Sequence, residues 1–169
     1  MKKALVVIDM QKDFVSGSLA NAAAQAIVMP IVKRIDSFRG AVFATRDTHG
    51  KDYLSTPEGK RLPIIHCVKD TGGWQIVPEI AHALEFKNAT VFDKPAFGTL
   101  DWAFLEDFTE VELVGTCTDI CVVSNALVIK TLFPALTVKV NAPLCAGTSA
   151  ENHEAALKVM RSCQIDIVK

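Results

Sequence analysis

The sequence predicts an α/β protein with a three-layer α/β/α (Rossmann-like) fold around a central, mainly parallel six-stranded sheet. Short runs of apolar and β-branched residues alternate with amphipathic stretches of helical length, which is typical of βαβ units. Runs such as ALVVI and VELVG lack polar alternation, so they suit strands that helices cover on both faces. The length of 169 residues fits one domain, which we expect to span residues 1–169.

The same pattern predicts the individual elements. Strand candidates lie at residues 4–8, 41–45, 64–67, 90–92, 111–114, 136–140 and 165–168. Helices are predicted at about residues 20–38, 78–84, 99–107, 119–133 and 150–163. Residues 46–76 are rich in Gly, Pro, Asp, Thr and Lys around one short strand, and irregular segments of this length inside a domain are usually functional.

Composition narrows the choice of partners and location. The chain has 18 basic and 19 acidic residues with no long run of either sign, so neither nucleic acid nor an anionic membrane is an expected partner. No apolar stretch approaches the ~20 residues of a membrane span, and Asp9 interrupts the first apolar run before a secretory signal could develop. Five cysteines, an odd number, argue for reduced thiols, and we expect a cytoplasmic protein.

Polar residues follow the predicted strands at the edge of the sheet where open parallel α/β folds bind ligands. They are Asp9 after the first strand, Asp47 and His49 after the second, His66 at the end of the third, Lys94 after the fourth and Cys121 in the turn after the fifth. This repeated placement marks them as candidate functional residues.

Cys121 is the candidate nucleophile. We expect it to open the helix that follows VELVG, where free backbone N–H groups and the helix dipole favour a thiolate and Thr118 or Asp119 caps the helix. Two other interpretations stay open at this point. Cys121 could be a small buried apolar residue, or it could form a metal or redox pair with Cys117, although no CxxC motif is present.

Asp9 and Lys94 are the candidate partners of the thiol. Partial burial of a carboxylate at the end of an apolar strand can raise its pKa into the range useful for proton transfer. The alternatives are that Asp9 is a turn residue, that Asp13 takes the catalytic role, and that Lys94 is an ordinary surface lysine.

Three segments, VVIDMQKDF, DKPAFGTL and VGTCTDICVVSNAL, resemble the signature regions of isochorismatase-like cysteine hydrolases, a group that includes the nicotinamidases. The resemblance covers nearly the whole chain, with the motifs in the same order and spacing. It implies a catalytic triad of Asp9, Lys94 and Cys121. It also implies a cis peptide bond between Thr116 and Cys117, and we expect the backbone N–H groups of Cys117 and Cys121 to form an oxyanion hole.

The resemblance extends to a metal site in the nicotinamidase/pyrazinamidase-like branch. RDTH followed by LPIIHC is similar to the Asp-x-His motif and distant histidine that hold a divalent metal there, which implies Asp47, His49 and His66 as ligands. One carboxylate and two imidazoles suit zinc, with manganese or iron as alternatives. Considered singly, His49 could instead cap a loop and His66 could satisfy a core hydrogen bond.

Aromatic residues are the candidates for the walls of a small substrate pocket. Phe14, Trp74 and Phe97 could supply them, although each is otherwise an ordinary core residue. Thr48 and Ile120 stand where many nicotinamidases carry a bulky aromatic residue and a tyrosine, and Ile120 is also expected to contact the substrate.

These features predict an amidohydrolase that releases ammonia from a small carboxamide, first of all nicotinamide, through a thioester on Cys121. A homo-oligomer is expected. One alternative is an amidase for N-carbamoyl or ureido compounds, and another is isochorismate-type vinyl ether hydrolysis, which relatives on this fold perform without a cysteine nucleophile. The third is a catalytically idle binding module.

Overall fold

The computed structural model describes residues 2–169 and confirms the three-layer α/β/α fold around a six-stranded sheet, all of whose strand pairs are parallel. The strands are β1 Lys3–Ile8, β2 Ala41–Asp47, β3 Thr90–Lys94, β4 Glu110–Thr116, β5 Thr137–Ala146 and β6 Asp166–Val168. The helices are α1 Lys12–Val15, α2 Ala22–Ser37, α3 Pro57–Arg61, α4 Pro78–Phe86, α5 Val123–Leu132 and α6 Ala150–Ser162. A π-helical turn, Thr118–Val122, precedes α5.

Two apolar layers hold the helices against the sheet, because strand β1 buries side chains on both of its faces. Leu5 and Val7 pack with α2 and α4, whereas Val6 and Ile8 pack with α5 and α6. The apolar face of α2 repeats at helical spacing, and Asn21 caps its first turn by accepting a hydrogen bond from the backbone N–H of residue 24 at 2.8 Å. Helices therefore cover both faces of the sheet, as the continuous apolar strands predict.

The strand order β3-β2-β1-β4-β5-β6 places a topological switch point between β1 and β4. Ile8 pairs with Gly115 in the β1–β4 register, so the chain that leaves β1 at Asp9 runs beside the chain that leaves β4. Gly115 has a φ of +120°, and a side chain there would collide with the carbonyl of Ile8. Ligand sites in such sheets lie at this crevice beyond the carboxyl ends of the strands.

The predicted strand at residues 64–67 is wrong, since this segment is a loop with only an isolated bridge between His49 and Val68. Ile64 and Ile65 do not face a core, since they are 40% and 56% exposed, and only Cys67 packs in a small apolar cluster, with Phe14 and Trp74. The backbone N–H of Cys67 donates to the carboxylate of Asp13 at 2.8 Å instead of to a neighbouring strand. His66 is therefore carried by a loop and not by a strand end.

The predicted helix at residues 99–107 is also wrong, because only one 3₁₀ turn, Ala103–Leu105, forms there. Trp102 and Leu105 are buried and anchor the segment to the core. Its first backbone N–H, at Thr99, donates to the Asn125 side chain at 3.1 Å instead of entering a helix. Among residues 2–169, no helix is both long and apolar enough to cross a membrane.

Candidate active site

A cavity of about 530 Å³ opens at the carboxyl edge of the sheet, beside the switch point. Its buried end includes Asp47, His66 and Cys121. The other lining residues are Phe14, Ser18, Leu19, Ala20, Asn21, Glu58, Leu62, Phe97, Cys117, Ile120 and Thr148. Most of the candidate residues from the sequence thus meet around one cavity.

The ammonium group of Lys94 joins the elements of the site. Lys94 is the last residue of the edge strand β3, and its Nζ lies 2.7 Å from Oδ2 of Asp9 and 3.4 Å from Sγ of Cys121. Asp9 follows β1 with a φ of +48°, and its Oδ1 accepts a hydrogen bond of 2.7 Å from the hydroxyl of Thr45. The structure therefore brings together a carboxylate, an ammonium group and a thiol, all buried.

Cys121 lies inside the π-helical turn that leaves β4, and not at the start of a regular helix. The peptide bond between Thr116 and Cys117 is cis. Thr118 and Asp119 do not cap the helix: the hydroxyl of Thr118 hydrogen-bonds to Nδ1 of His153 at 2.8 Å, and Asp119 accepts from residue 148. The expectation of a side-chain cap is therefore wrong, because both side chains are used to join the turn to the neighbouring segments.

Burial is the largest influence on the pKa values of Asp9 and Cys121 in this cluster. Burial raises the pKa of the Asp9 carboxyl more than the charge of Lys94 lowers it. Burial, followed by the charge of Asp9, also holds the pKa of the Cys121 thiol well above its ordinary value, and Lys94 opposes this effect. Burial therefore opposes the thiolate and Lys94 favours it, while the raised pKa of Asp9 suits that carboxyl to accept the thiol proton.

Asp47, His49 and His66 form the second cluster, in which one ligand atom from each residue lies within 4.8 Å of the others. Oδ2 of Asp47 lies 2.8 Å from Nε2 of His49 and 3.6 Å from Nε2 of His66. Burial raises the pKa of Asp47, but the contact with His49 and the charge of Lys94 outweigh it and the net pKa is lowered. The carboxylate is therefore held in the charged form that a metal ligand needs.

The chemistry of this cluster fits a divalent metal. Oδ1 of Asp47 and Nε2 of His49 are buried and lack a hydrogen-bond partner with good geometry, which is costly unless a ligand satisfies them. Nδ1 of His66 lies 2.8 Å from the carbonyl oxygen of Ile64, which leaves Nε2 directed towards the cluster. Glu58, which sequence reasoning missed, places Oε1 3.7 and 3.8 Å from the two Nε2 atoms.

Three of the four predicted substrate contacts line the cavity, namely Phe14, Phe97 and Ile120. Trp74 does not line it, and the expectation that its ring forms a wall needs correction. The guanidinium of Arg46 lies over the Trp74 ring, 3.6 Å from its centroid. The indole Nε1 of Trp74 donates to the Thr48 hydroxyl at 2.9 Å. Trp74 supports the loop behind the cavity.

Two buried amides that sequence reasoning missed hold the site in place. Gln11 donates to the carbonyl of Asp47 at 2.8 Å and accepts from its N–H at 2.7 Å. Asn125 donates to the carbonyls of Phe97 and Cys121 at 3.1 and 2.8 Å. Gln11 stands inside the VVIDMQKDF motif, but nothing local to the sequence shows what either amide contacts. Asp13, the rival of Asp9, is used structurally, because its carboxylate accepts the Cys67 N–H.

A buried thiol with a carboxylate and an ammonium group at the end of a cavity is the arrangement of a cysteine hydrolase on an α/β sheet. The family model described as the isochorismatase domain matches residues 3–169. The chain belongs to the isochorismatase domain family.

The curated relatives are named for one activity. The nicotinamidase/pyrazinamidase of Mycobacterium tuberculosis is 31% identical over 186 aligned residues, with 98% of each chain covered. The nicotinamidase of Schizosaccharomyces pombe is 25% identical, with 98% of this chain and 92% of the relative covered.

Solved structures of this group are similar over the whole chain. The nicotinamidase/pyrazinamidase of Bacillus subtilis gives a TM-score of 0.86 at 26% identity and covers 100% of both chains. The pyrazinamidase of Pyrococcus horikoshii, solved in complex with zinc, gives a TM-score of 0.82 at 26% identity, with 100% of this chain and 99% of that chain covered.

Proposed function

We propose that this enzyme hydrolyses nicotinamide to nicotinate and ammonia, through a thioester on Cys121. The observation that carries the proposal is the contact of one ammonium group, Lys94, with both the Asp9 carboxylate and the Cys121 thiol beside the cavity. The names of the relatives support the choice of substrate.

The reaction begins with Asp9 taking the thiol proton of Cys121, for which its raised pKa suits it. The sulfur attacks the amide carbon, and the backbone N–H groups of Cys117 and Cys121 stabilise the oxyanion of the tetrahedral intermediate. The carbon–nitrogen bond breaks as Asp9 returns the proton to the leaving ammonia. Water then gives a proton to Asp9 and attacks the thioester. The carbon–sulfur bond breaks, the acid is released, and Asp9 returns the proton to the sulfur of Cys121.

Lys94 and the second cluster supply charge and orientation. The ammonium of Lys94 stabilises the carboxylate and the thiolate while the proton moves between them. Asp47, His49 and His66 would hold the divalent ion, and we propose zinc. When bound, the ion supplies a Lewis acid for the ring nitrogen of the substrate. Phe14, Phe97 and Ile120 line the cavity that receives the ring.

The charges around the cavity favour nicotinamide over the carbamoyl and ureido alternatives. N-carbamoyl amino acids and ureidoacrylate carry a carboxylate. Within the described part of the chain, no Lys or Arg side chain lines the cavity, so no basic side chain would replace the water that such a carboxylate loses. Vinyl ether hydrolysis needs no thiol, so Cys121 argues against it. A catalytically idle binding module would not need a buried carboxylate, Asp9, beside that thiol.

We also propose a single hydrolase domain over residues 1–169, a cytoplasmic location and assembly into a homo-oligomer. The two apolar layers share one sheet, which supports the single domain. All five cysteines are free thiols, which suits a reducing compartment. Oligomerisation stays a prediction, to be measured by sedimentation.

Ammonia release from a substrate panel tests the function. Nicotinamide and pyrazinamide should be turned over, whereas N-carbamoylsarcosine and ureidoacrylate should react at least about 100-fold more slowly, because no lining Lys or Arg side chain pairs with their carboxylates. Faster turnover of either carboxylate than of nicotinamide would contradict the proposal. Cys121→Ala protein serves as the blank for contaminating amidases.

A further inference from the structure

The cavity is larger than a single-ring carboxamide requires. Its volume of about 530 Å³ lies in the range of about 300–1,000 Å³ in which proteins enclose drug-sized ligands. Nicotinamide occupies roughly the volume of five waters, about 150 Å³ at ~30 Å³ for each water. With the amide at Cys121, more than half of the cavity is left for further atoms of a substrate.

The part of the cavity nearest solvent is apolar. Cys121, at the reacting end, is 5% exposed, whereas Leu62 and Phe97 are 36% and 46% exposed and line the opening. Leu19 and Ile120 are half-buried and line the same cavity. We call Leu19, Leu62, Phe97 and Ile120 the apolar rim. Apolar side chains that stay exposed beside a reactive site commonly mark a ligand-binding surface.

The charges at the cavity limit what the apolar rim can hold. The ionisable groups that line it include the carboxylates of Asp47 and Glu58, and no lining residue in the described ranges is Lys or Arg. The nearby ammonium of Lys94 is buried and already paired with Asp9. An anionic substituent on the apolar rim, away from the buried metal ligands, would therefore be desolvated without a basic side chain to pair with, whereas a neutral apolar one would only leave water.

We propose that the enzyme also accepts neutral aromatic carboxamides that carry an apolar ring substituent, which the apolar rim holds. The inference rests on the proposed amidase function and adds a substrate class to it. Leu19, Leu62, Phe97 and Ile120 then determine specificity, and Asp9, Lys94 and Cys121 act on the amide as before. One methylene group in a closed pocket changes kcat/KM by about 10–200-fold. Because the apolar rim is partly open to solvent, we expect a phenyl group to raise kcat/KM by the lower end of this range, about 10-fold.

Steady-state ammonia release should be compared for three sets of compounds. They are nicotinamide, the isomeric nicotinamides that carry a phenyl group at one ring position (the phenyl isomers), and the nicotinamides that carry a carboxyphenyl group at the same positions. We expect at least one phenyl isomer to match or exceed the kcat/KM of nicotinamide by up to about 10-fold, and its carboxyphenyl counterpart to be at least about 10-fold poorer. If every phenyl isomer is more than about threefold poorer than nicotinamide, the inference is overturned and the amidase function stands. If no amide releases ammonia, the proposed function itself fails.

Leu62→Ser and Leu54→Ser form a matched pair of variants on either side of the short helix α3. Leu54 is 49% exposed and does not line the cavity. In Leu62→Ser, the ratio of kcat/KM for the best phenyl isomer to that for nicotinamide should fall at least about fivefold, and Leu54→Ser should keep the wild-type ratio. An unchanged ratio in Leu62→Ser removes Leu62 from the rim. Phe97→Ser, in a different loop, repeats the test should Leu62→Ser not fold.

Discussion

The thiol of Cys121 lies 3.4 Å from Nζ of Lys94 and is buried with the carboxylate of Asp9. A buried cysteine usually behaves as a small apolar residue. Here the neighbouring groups are the charged side chains of Lys94 and Asp9, which give an apolar residue no favourable packing contacts. At the scale of the residue, the thiol is therefore placed for proton transfer more than for packing.

Cys121→Ala should lower kcat at least about 10⁴-fold, because removing the nucleophile leaves only binding and oxyanion contacts. Its melting temperature should stay within about 3 °C of the wild-type value, since only one small side-chain atom is lost. Cys145→Ala is the matched control, because Cys145 is as buried as Cys121 but lies outside the cavity. Turnover of the Cys121 variant near the wild-type rate would rule out the thioester route.

Lys94→Met should shift the alkylation of Cys121 to higher pH. Lys94 is the group that lowers the pKa of this thiol, so its removal raises that pKa further and leaves less thiolate at any given pH. We expect the iodoacetamide pH profile to move up by at least about one unit and kcat to fall at least about 100-fold. Lys139→Met, which removes an ammonium paired with Glu110, is the control. Superimposable profiles would show that Lys94 does not act on the thiol.

At the scale of the element, the periodicity of apolar residues predicts the strands and helices whose apolar faces pack in the core. The six strands and the helices over residues 22–37, 78–86 and 150–162 follow from apolar periodicity. The segment with Ile64 and Ile65 has the same apolar composition as a strand, yet it joins no sheet, and the N–H of Cys67 donates to a distant carboxylate, Asp13. Contacts between residues far apart in sequence leave no periodic signal.

The candidate site shows the same division. Asp9, Asp47 and Lys94 were found because they end strands, and the geometry of parallel sheets brings such ends together. Trp74 was misplaced because a ring next to a functional loop can face either the cavity or the loop behind it, and the contact with Arg46 decides this. Asn125 was missed because its partners include residues 26 and 28 positions away.

Asn125→Ala tests how helix α5 holds the cavity wall. The change removes hydrogen bonds to the carbonyls of Phe97 and Cys121 and the acceptor for Thr99 N–H, so the wall can move relative to the nucleophile. We expect a rise of about 5–10-fold in KM with a smaller loss in kcat, and a melting temperature lower by about 3–8 °C.

Thr131→Ala is the control for that variant, because it removes one hydrogen bond to Leu127 on the exposed side of the same helix. An Asn125 variant that loses stability without any change in KM would show that the amide supports the fold only. Asn125→Asp, which keeps the acceptor for Thr99 but loses both donors, should have an intermediate KM.

At the scale of the whole molecule, the metal cluster links segments that the sheet alone does not hold. Asp47 ends β2, whereas His66 lies in a loop and Glu58 lies in the short helix α3. Tyr53 packs against both histidine rings at 4.7 and 4.9 Å, and its hydroxyl donates to the carbonyl of Leu62 at 2.9 Å. An ion held by this cluster would therefore fix the segment that carries Leu62 of the apolar rim.

A divalent ion should raise the stability of the whole protein as well as its activity. Any ligand that binds only the folded state stabilises it, by about 2.7 kcal/mol at 100 times its Kd. For a chain of this size that corresponds to a rise in melting temperature of about 5–10 °C. We expect zinc, and to differing degrees manganese or iron, to produce this shift, with one equivalent bound by elemental analysis. His49→Ala and His66→Ala should lose both the ion and the shift, while His82→Ala, on the exposed face of α4, should keep them. Because the attack is assigned to Cys121, metal-free protein should still be alkylated at that thiol. It should hydrolyse nicotinamide slowly, with both KM and kcat impaired as orientation is lost.

Wild-type protein whose melting temperature and metal content do not respond to excess zinc, manganese or iron would exclude the metal site. The enzyme would then be an amidase that relies on Asp9, Lys94 and Cys121 alone.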